Sequence, residues 1–326
     1  MSKKQKCSAL GSELLQACID QNSNWAIALI EQGADVNYSN ADDNTPLICA
    51  CQKRLGDVAL RLIDEGANVN YPNIWKNTAL TYACRWDDFE KVALKLIDVG
   101  AYVNQVNWHG ETALIYACRL SLGDVALKLI DKGADVNYLN KTNSNALLLA
   151  CYNGIDDVVD RLITAGADVN HTDACSNTPL IWACWRGFAK VALKLIDAGA
   201  TVNCEDGQGR TPLTWACWSG LADVALKLIA MGARCGGEDA GRKSAEKNQI
   251  CHFLPVEPQI SPELRNDSRA NFIGDLFYRE AREKILALRC CVFSQRKINA
   301  LPNLCVDFIA EHLFASYHQR LNALFV

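Results

Sequence analysis

The chain has 326 residues, half of them hydrophobic and 21% charged, and its 33 Lys and Arg against 37 Asp and Glu leave a formal charge of only -4. Such a balance excludes the dense basic footprint of a nucleic-acid surface. No segment approaches the ~18 uninterrupted apolar residues of a membrane helix, and no apolar run follows the lysines of MSKKQKCSALGSELLQ; the expectation is a soluble cytoplasmic protein that engages neither nucleic acid nor membrane.

One phrase returns along three quarters of the chain. It appears in degraded form as ELLQACIDQN from Glu13, then as TPLICACQKR from Thr45, TALTYACRWD from Thr78 and TALIYACRLS from Thr112. NALLLACYNG from Asn145, TPLIWACWRG from Thr178 and TPLTWACWSG from Thr211 complete the set. Gly-Ala pairs at Gly33, Gly66, Gly100, Gly133, Gly166, Gly199 and Gly232 keep the same step, 33 residues except for one interval of 34. A period of this length marks a stack of repeated units. The one extra residue falls between Cys84 and Val92, where the turn between two helices is expected.

Each unit reads as two short helices. Thr45-Pro46 is a helix start, the threonine as N-cap and the proline at the first helical position, where its missing N–H costs nothing. Leu47, Ala50 and Cys51 follow at helical spacing and define a buried stripe. The second helix, VALRLID from Val58, is apolar at Val58, Ala59, Leu62 and Ile63 and stops at Gly66, which suits a left-handed cap. An Asn-rich stretch leads to the next unit. Neither helix is long enough to be stable alone, so stacking must supply the energy.

Seven of the sixteen cysteines, Cys18, Cys51, Cys84, Cys118, Cys151, Cys184 and Cys217, occupy one point of the repeat. That periodicity argues for packing, since cysteine behaves as a small buried hydrophobe. No Cys-x-x-Cys pair occurs, Cys251-His252 and Cys290-Cys291 lack companions at zinc-ligand spacing, and no metal or cofactor is expected. So many thiols suit a reducing compartment.

These residues closely resemble the ankyrin repeat family, whose turn, TPLHxAA helix, second helix and GADVN are matched by DNTPLICACQKRLGDVALRLIDEGANVN from Asp43 and by its relatives. The resemblance implies an all-α ankyrin-repeat solenoid with short β-turn fingers, its units at 8–40, 41–73, 74–107, 108–140, 141–173, 174–206 and 207–239. The family histidine is replaced by Ile48, Thr81, Ile115, Leu148, Ile181 and Thr214. The turn glycine is kept at Gly110 and Gly209 but is Asp43, Lys76, Asn143 or Ser176 elsewhere. The first unit lacks TPL, as a capping unit should. Residues 1–239 then form the repeats, 240–267 a half-repeat cap and linker with prolines at 255, 258 and 262, and 268–326 a C-terminal helical segment.

No catalytic constellation is visible among the five histidines, and no phosphate loop, metalloprotease helix or nucleophile elbow occurs. An enzyme is not expected. By the resemblance, a concave face of turn tips and first helices binds a protein partner. Carried onto this chain, its contact positions are Trp75, Trp108 and His109 in the turns, and Arg85, Trp86, Arg119, Tyr152, Trp185, Arg186 and Trp218 at the first-helix ends. Ile74, Arg210, Gln52, Lys53, Leu120, Asn153 and Ser219 occupy the same classes of position. Trp, Tyr and Arg are the residue types enriched at binding hot spots. One turn earlier on each helix, Tyr82, Tyr116, Leu149, Trp182 and Trp215 read either as core or as part of the same ladder.

In the tail, Leu301, Pro302, Ile309 and Leu313 resemble the opening of an F-box and of the shortened, PRANC-type F-box-like tail of ankyrin proteins of viruses and intracellular bacteria. That resemblance implies recruitment of a cullin-RING ubiquitin ligase, with the chain as substrate receptor; separately, TALIYAC with VALKLID resembles ankyrin arrays of large DNA viruses of amoebae and of intracellular bacteria, which implies a host-cell effector. Two alternatives stand beside it: a plain helical cap, and a SOCS-box reading from Leu286, Cys290 and Leu301-Pro302. A monomer is expected.

Overall fold

The computed structural model describes residues 3–234. The cap, linker and C-terminal helical segment expected beyond residue 239, with Leu301, Pro302, Ile309 and Leu313, lie outside the described residues. The described residues divide between Ala174 and Cys175 into two units.

In the first unit, helices alternate between two layers. One layer holds α1 (Lys3–Ile19), α3 (Pro46–Gln52), α5 (Ala79–Ala83), α7 (Ala113–Arg119) and α9 (Ala146–Asn153); the other holds α2 (Ser23–Glu31), α4 (Gly56–Asp64), α6 (Glu90–Asp98), α8 (Gly123–Asp131) and α10 (Asp156–Thr164). Each helix packs on its partner within a repeat and on its counterpart in the next. In the second unit, α11 (Pro179–Arg186) and α13 (Pro212–Trp218) pair in the same way with α12 (Ala189–Asp197) and α14 (Ala222–Ala230). Among the described residues there is no strand, and no helix is long and apolar enough to cross a membrane.

The helix starts are as expected. The side chains of Thr45, Thr78, Thr112, Asn145, Thr178 and Thr211 each accept the backbone N–H three residues on, with Pro46, Pro179 and Pro212 in the first helical position. Thr81 adds a reciprocal bond to the Thr78 backbone N–H. The apolar stripe, however, is wider than periodicity indicates. Pro46 through Cys51 are all buried, Ile48 and Cys49 included, because α3 packs against α1, α4 and α5 at once. That crowding is why a histidine position can become isoleucine: Ile48, Ile115 and Ile181 are fully enclosed.

The turn position that is glycine in two units has a left-handed backbone in all six: φ is 58° at Asp43 and Lys76, 57° at Asn143, 63° at Ser176, 74° at Gly110 and 73° at Gly209. The conformation is dictated by the finger, and the residue type only modulates its cost. In the third repeat the extra residue forms a 3-10 turn, Asp87–Phe89, and α5 is correspondingly short. Arg85 and Trp86 therefore sit in the inter-helix turn and not on the helix.

Two polar ladders tie the repeats together. On one side, the amides of Asn70, Asn104 and Asn137 each donate to a Gly carbonyl of the following repeat, Gly100, Gly133 and Gly166, at 3.0 to 3.2 Å. Their oxygens accept the backbone N–H of Tyr102, Asp135 and Asp168 at 2.7 to 2.9 Å. Asn203 does the same for Gly232 and Arg234 in the second unit. The second ladder joins the second helices through Lys95–Asp64, Lys128–Asp98, Arg161–Asp131 and Lys227–Asp197, all about half exposed and so of small individual worth.

Candidate partner-binding edge

The turn tips are built on one periodic residue. The Oδ1 atoms of Asn40, Asn73, Asn107, Asn140 and Asp206 each accept backbone N–H groups two and four residues on, which closes the finger. The remaining amide donor reaches the preceding finger: Asn73 to Asn44 at 3.0 Å, and Asn107 to Asn77 at 2.9 Å. Adjacent fingers also bond through their backbones, as from Trp108 N–H to the Trp75 carbonyl at 3.1 Å. Sequence reading passed over these residues as an Asn-rich loop, although their period was visible.

The same residues anchor the aromatic side chains nine positions later. Asn73 and Asn77 donate to the Tyr82 hydroxyl at 3.5 and 3.4 Å, Asn107 to the Tyr116 hydroxyl at 3.3 Å, and the Trp215 indole to the Asp206 carboxylate at 3.1 Å. Tyr82, Tyr116 and Trp215 are at most 9% exposed. The choice between core and contact thus falls to core for these three, held by a polar tether that apolar periodicity does not reveal. Trp182 and Leu149 are half-buried. Burial alone would raise the Asp206 carboxyl, but the N–H groups of Arg210 and Gln208, the Arg210 guanidinium and the Trp215 indole outweigh it and hold the acid below its usual range.

Onto these anchors the first unit lays an alternating ladder of rings and guanidiniums. Arg85 lies 5.7 Å from the centroids of both Tyr82 and Tyr116, and Arg119 lies 5.6 Å from Tyr116 while pairing with Glu111 at 2.7 Å. Trp75 and Trp108 stand at the fingertips, 38% and 62% exposed, with His109 exposed beside them. Tyr152 is half-buried, and Asn153 spends its amide on the carbonyls of Cys118 and Arg119, finishing α7. Trp86 is also half-buried: Arg54 covers its ring at 5.3 Å while pairing with Asp88, and the indole N–H is enclosed without a hydrogen-bond partner among the described residues.

In the second unit the ladder is made of indoles. Trp182 meets Trp185 at 5.0 Å, Trp185 meets Trp215 at 5.8 Å and Trp215 meets Trp218 at 5.4 Å, with Arg210 over Trp215 at 4.2 Å. Trp185 and Trp218 are 36% and 51% exposed, and Arg186 is exposed next to Trp185. Tilted and edge-on pairs of this kind hold the rings in place, so the outer indoles present a preset apolar surface.

Among the described residues no group of three or more His, Cys, Asp and Glu could hold a metal ion. Burial pushes the Cys18 and Cys118 thiols up to about 12 and the Cys49 thiol up to about 11, the state of packed thiols and not of nucleophiles.

A family model described as ankyrin repeats in three copies matches residues 57–140 and 147–239. An ankyrin repeat domain from Acinetobacter baumannii AYE is 28% identical, over 58% of this chain and 98% of its own, with a TM-score of 0.50. The human ASB11 ankyrin repeat domain is 25% identical, over 62% and 90% of the two chains, with a TM-score of 0.51. No curated protein sequence matches the chain.

Proposed function

The chain belongs to the ankyrin-repeat family, and we propose that it is a non-catalytic binding scaffold that grips a protein partner along the edge formed by its fingertips and first-helix ends. The observation that carries this reading is the alternating Tyr82, Arg85, Tyr116, Arg119 ladder, in which buried, tethered rings hold exposed guanidiniums in place. Large rigid side chains with polar handles, fixed before binding, lose little entropy on association. Ankyrin repeat domains in general mediate protein-protein interaction. Buried thiols at Cys18, Cys51, Cys84, Cys118, Cys151 and Cys184 support a reducing, cytosolic setting.

A photo-crosslinking residue at Trp108 or Trp218 should trap the partner saturably, and unlabelled chain should compete where chain carrying Trp108→Ala does not. The same crosslinker at exposed Lys132, on the opposite layer, should trap nothing. Equal trapping from both positions would refute the edge.

The resemblance at Leu301, Pro302, Ile309 and Leu313 supports a narrower version, in which the tail couples the partner to a cullin-RING ligase. Recovery of a cullin with the intact chain, lost on removal of residues 301–326, is the result that version requires. Recovery of the partner without any ligase component leaves a regulatory or inhibitory module.

A further inference from the structure

The two arginines of the first unit's ladder differ in one respect. Arg119 has a carboxylate, Glu111, eight residues before it. The residue eight before Arg85 is Asn77, whose side chain is spent on Asn107 and Tyr82. Arg85 keeps the cation-ring geometry, remains exposed, and has no carboxylate within ion-pair distance among the described residues. A guanidinium presents five N–H donors around the rim of its plane and matches a carboxylate through two of them. Held by rings whose hydroxyls are themselves tethered, Arg85 is a preset fork whose counterion is missing.

The surroundings have the same sign. In repeats 3 to 5, Asp88 is engaged by Arg54 and Glu111 by Arg119, which leaves exposed Lys76, Arg85 and Lys141 against exposed Asp87 and half-buried Asp173 on the turns and first-helix ends. This local excess of positive charge sits on a chain that is acidic as a whole, with a net charge of -4. A local positive excess of this kind favours an acidic ligand at this edge.

We propose that Arg85 receives an aspartate or glutamate carboxylate of an extended segment of the protein partner, which takes beside Arg85 the place that Glu111 takes beside Arg119. The exposed Trp75 and Trp108 of the neighbouring fingertips cover apolar residues flanking that acid. This inference rests on the edge being the binding face, and it adds the chemistry of the partner.

Selection of a random 12-residue peptide library displayed on phage, against the full chain and against variants, tests it. Peptides selected by the natural chain should be rich in Asp and Glu next to apolar residues, and Arg85→Gln should weaken them about tenfold or more, the scale of a lost charged hydrogen bond. Arg85→Lys, which keeps the charge without the fork, should retain only part of the affinity, and Arg85→Glu should select Lys- and Arg-rich peptides instead. Circular dichroism confirms that each variant is folded. Neutral or basic peptides that depend on Trp108 would overturn the carboxylate assignment and leave the edge standing. Peptides indifferent to both Trp108→Ala and Arg85→Gln would overturn both. Binding that improves more than tenfold when phosphoserine replaces the acid would make Arg85 a phosphate receptor and overturn the assignment to Asp or Glu.

Discussion

The indole of Trp215 donates to the carboxylate of Asp206 across 3.1 Å, and through that one bond a fingertip and a first helix are fixed to each other. Trp215→Phe keeps a ring in the site and leaves a buried carboxylate short of one donor. It should cost about 1–2 kcal/mol in urea unfolding. Trp218→Ala, which removes an exposed ring in contact with Trp215, should cost no more than about 1 kcal/mol. A larger loss for Trp218 than for Trp215 would contradict the division into anchor and contact.

Lys76 occupies a left-handed backbone position with φ of 58° and an exposed side chain. Glycine relieves that strain at some cost in chain entropy, so Lys76→Gly should raise stability by up to about 1 kcal/mol. Lys76→Val, with a β-branched side chain, should lower it. Thermal melts of the two variants decide the matter, and unchanged or inverted midpoints would contradict the finger geometry.

The Cys118 thiol is buried and pushed up to about 12 by desolvation. An unfolded thiol ionises near ~8.5. The folded state therefore holds its proton where the unfolded state releases it, so this contribution is complete below about pH 8.5 and is lost as pH rises toward 12. Each such thiol adds a slope of about 1.4 kcal/mol per pH unit in that window. Urea midpoints under reducing conditions should fall from pH 8 to pH 10, and Cys118→Ala should make the fall shallower. An unchanged slope would place that thiol in water.

Asn137 brackets the next repeat with two bonds, to the Gly166 carbonyl at 3.0 Å and from the Asp168 N–H at 2.9 Å. Asn137→Asp keeps the acceptor and turns the donor into a repelling oxygen, so it should destabilise more than Asn137→Ala, which costs about 1 kcal/mol. Hydrogen exchange at Asp168 reads the loss locally. Unchanged protection there in both variants would show that the bracket carries no load.

Helix starts, helix ends, the fingertip position and the cysteine row all follow from local rules, and so Thr45, Gly66, Asp43 and Cys51 are legible in sequence. The side on which Tyr82 or Trp215 settles is not legible. A first helix has neighbours on three sides, so apolar periodicity no longer separates inside from outside, and the deciding interaction is a tether to a polar residue nine positions back. Trp86 escaped for another reason. The extra residue of the third repeat ends α5 early, and a position that would lie on a helix turns under Arg54.

That extra residue also shows what the stack counts. Asn70 reaches 30 residues forward to Gly100 and 32 to Tyr102, where Asn104 and Asn137 reach 29 and 31, yet its bonds of 3.2 and 2.7 Å match their 3.0 Å and 2.8 to 2.9 Å closely. The added length is absorbed at Asp87–Phe89, on the far side of the helix pair from the brackets. The array is indexed by its amide brackets and not by residue number. Insertions and deletions at the inter-helix turns are therefore free to accumulate, while a single-residue shift between a bracket and the following helix start would throw the next unit out of register. Whole units, bounded bracket to bracket, are the pieces by which such a chain can lengthen or shorten without refitting its neighbours.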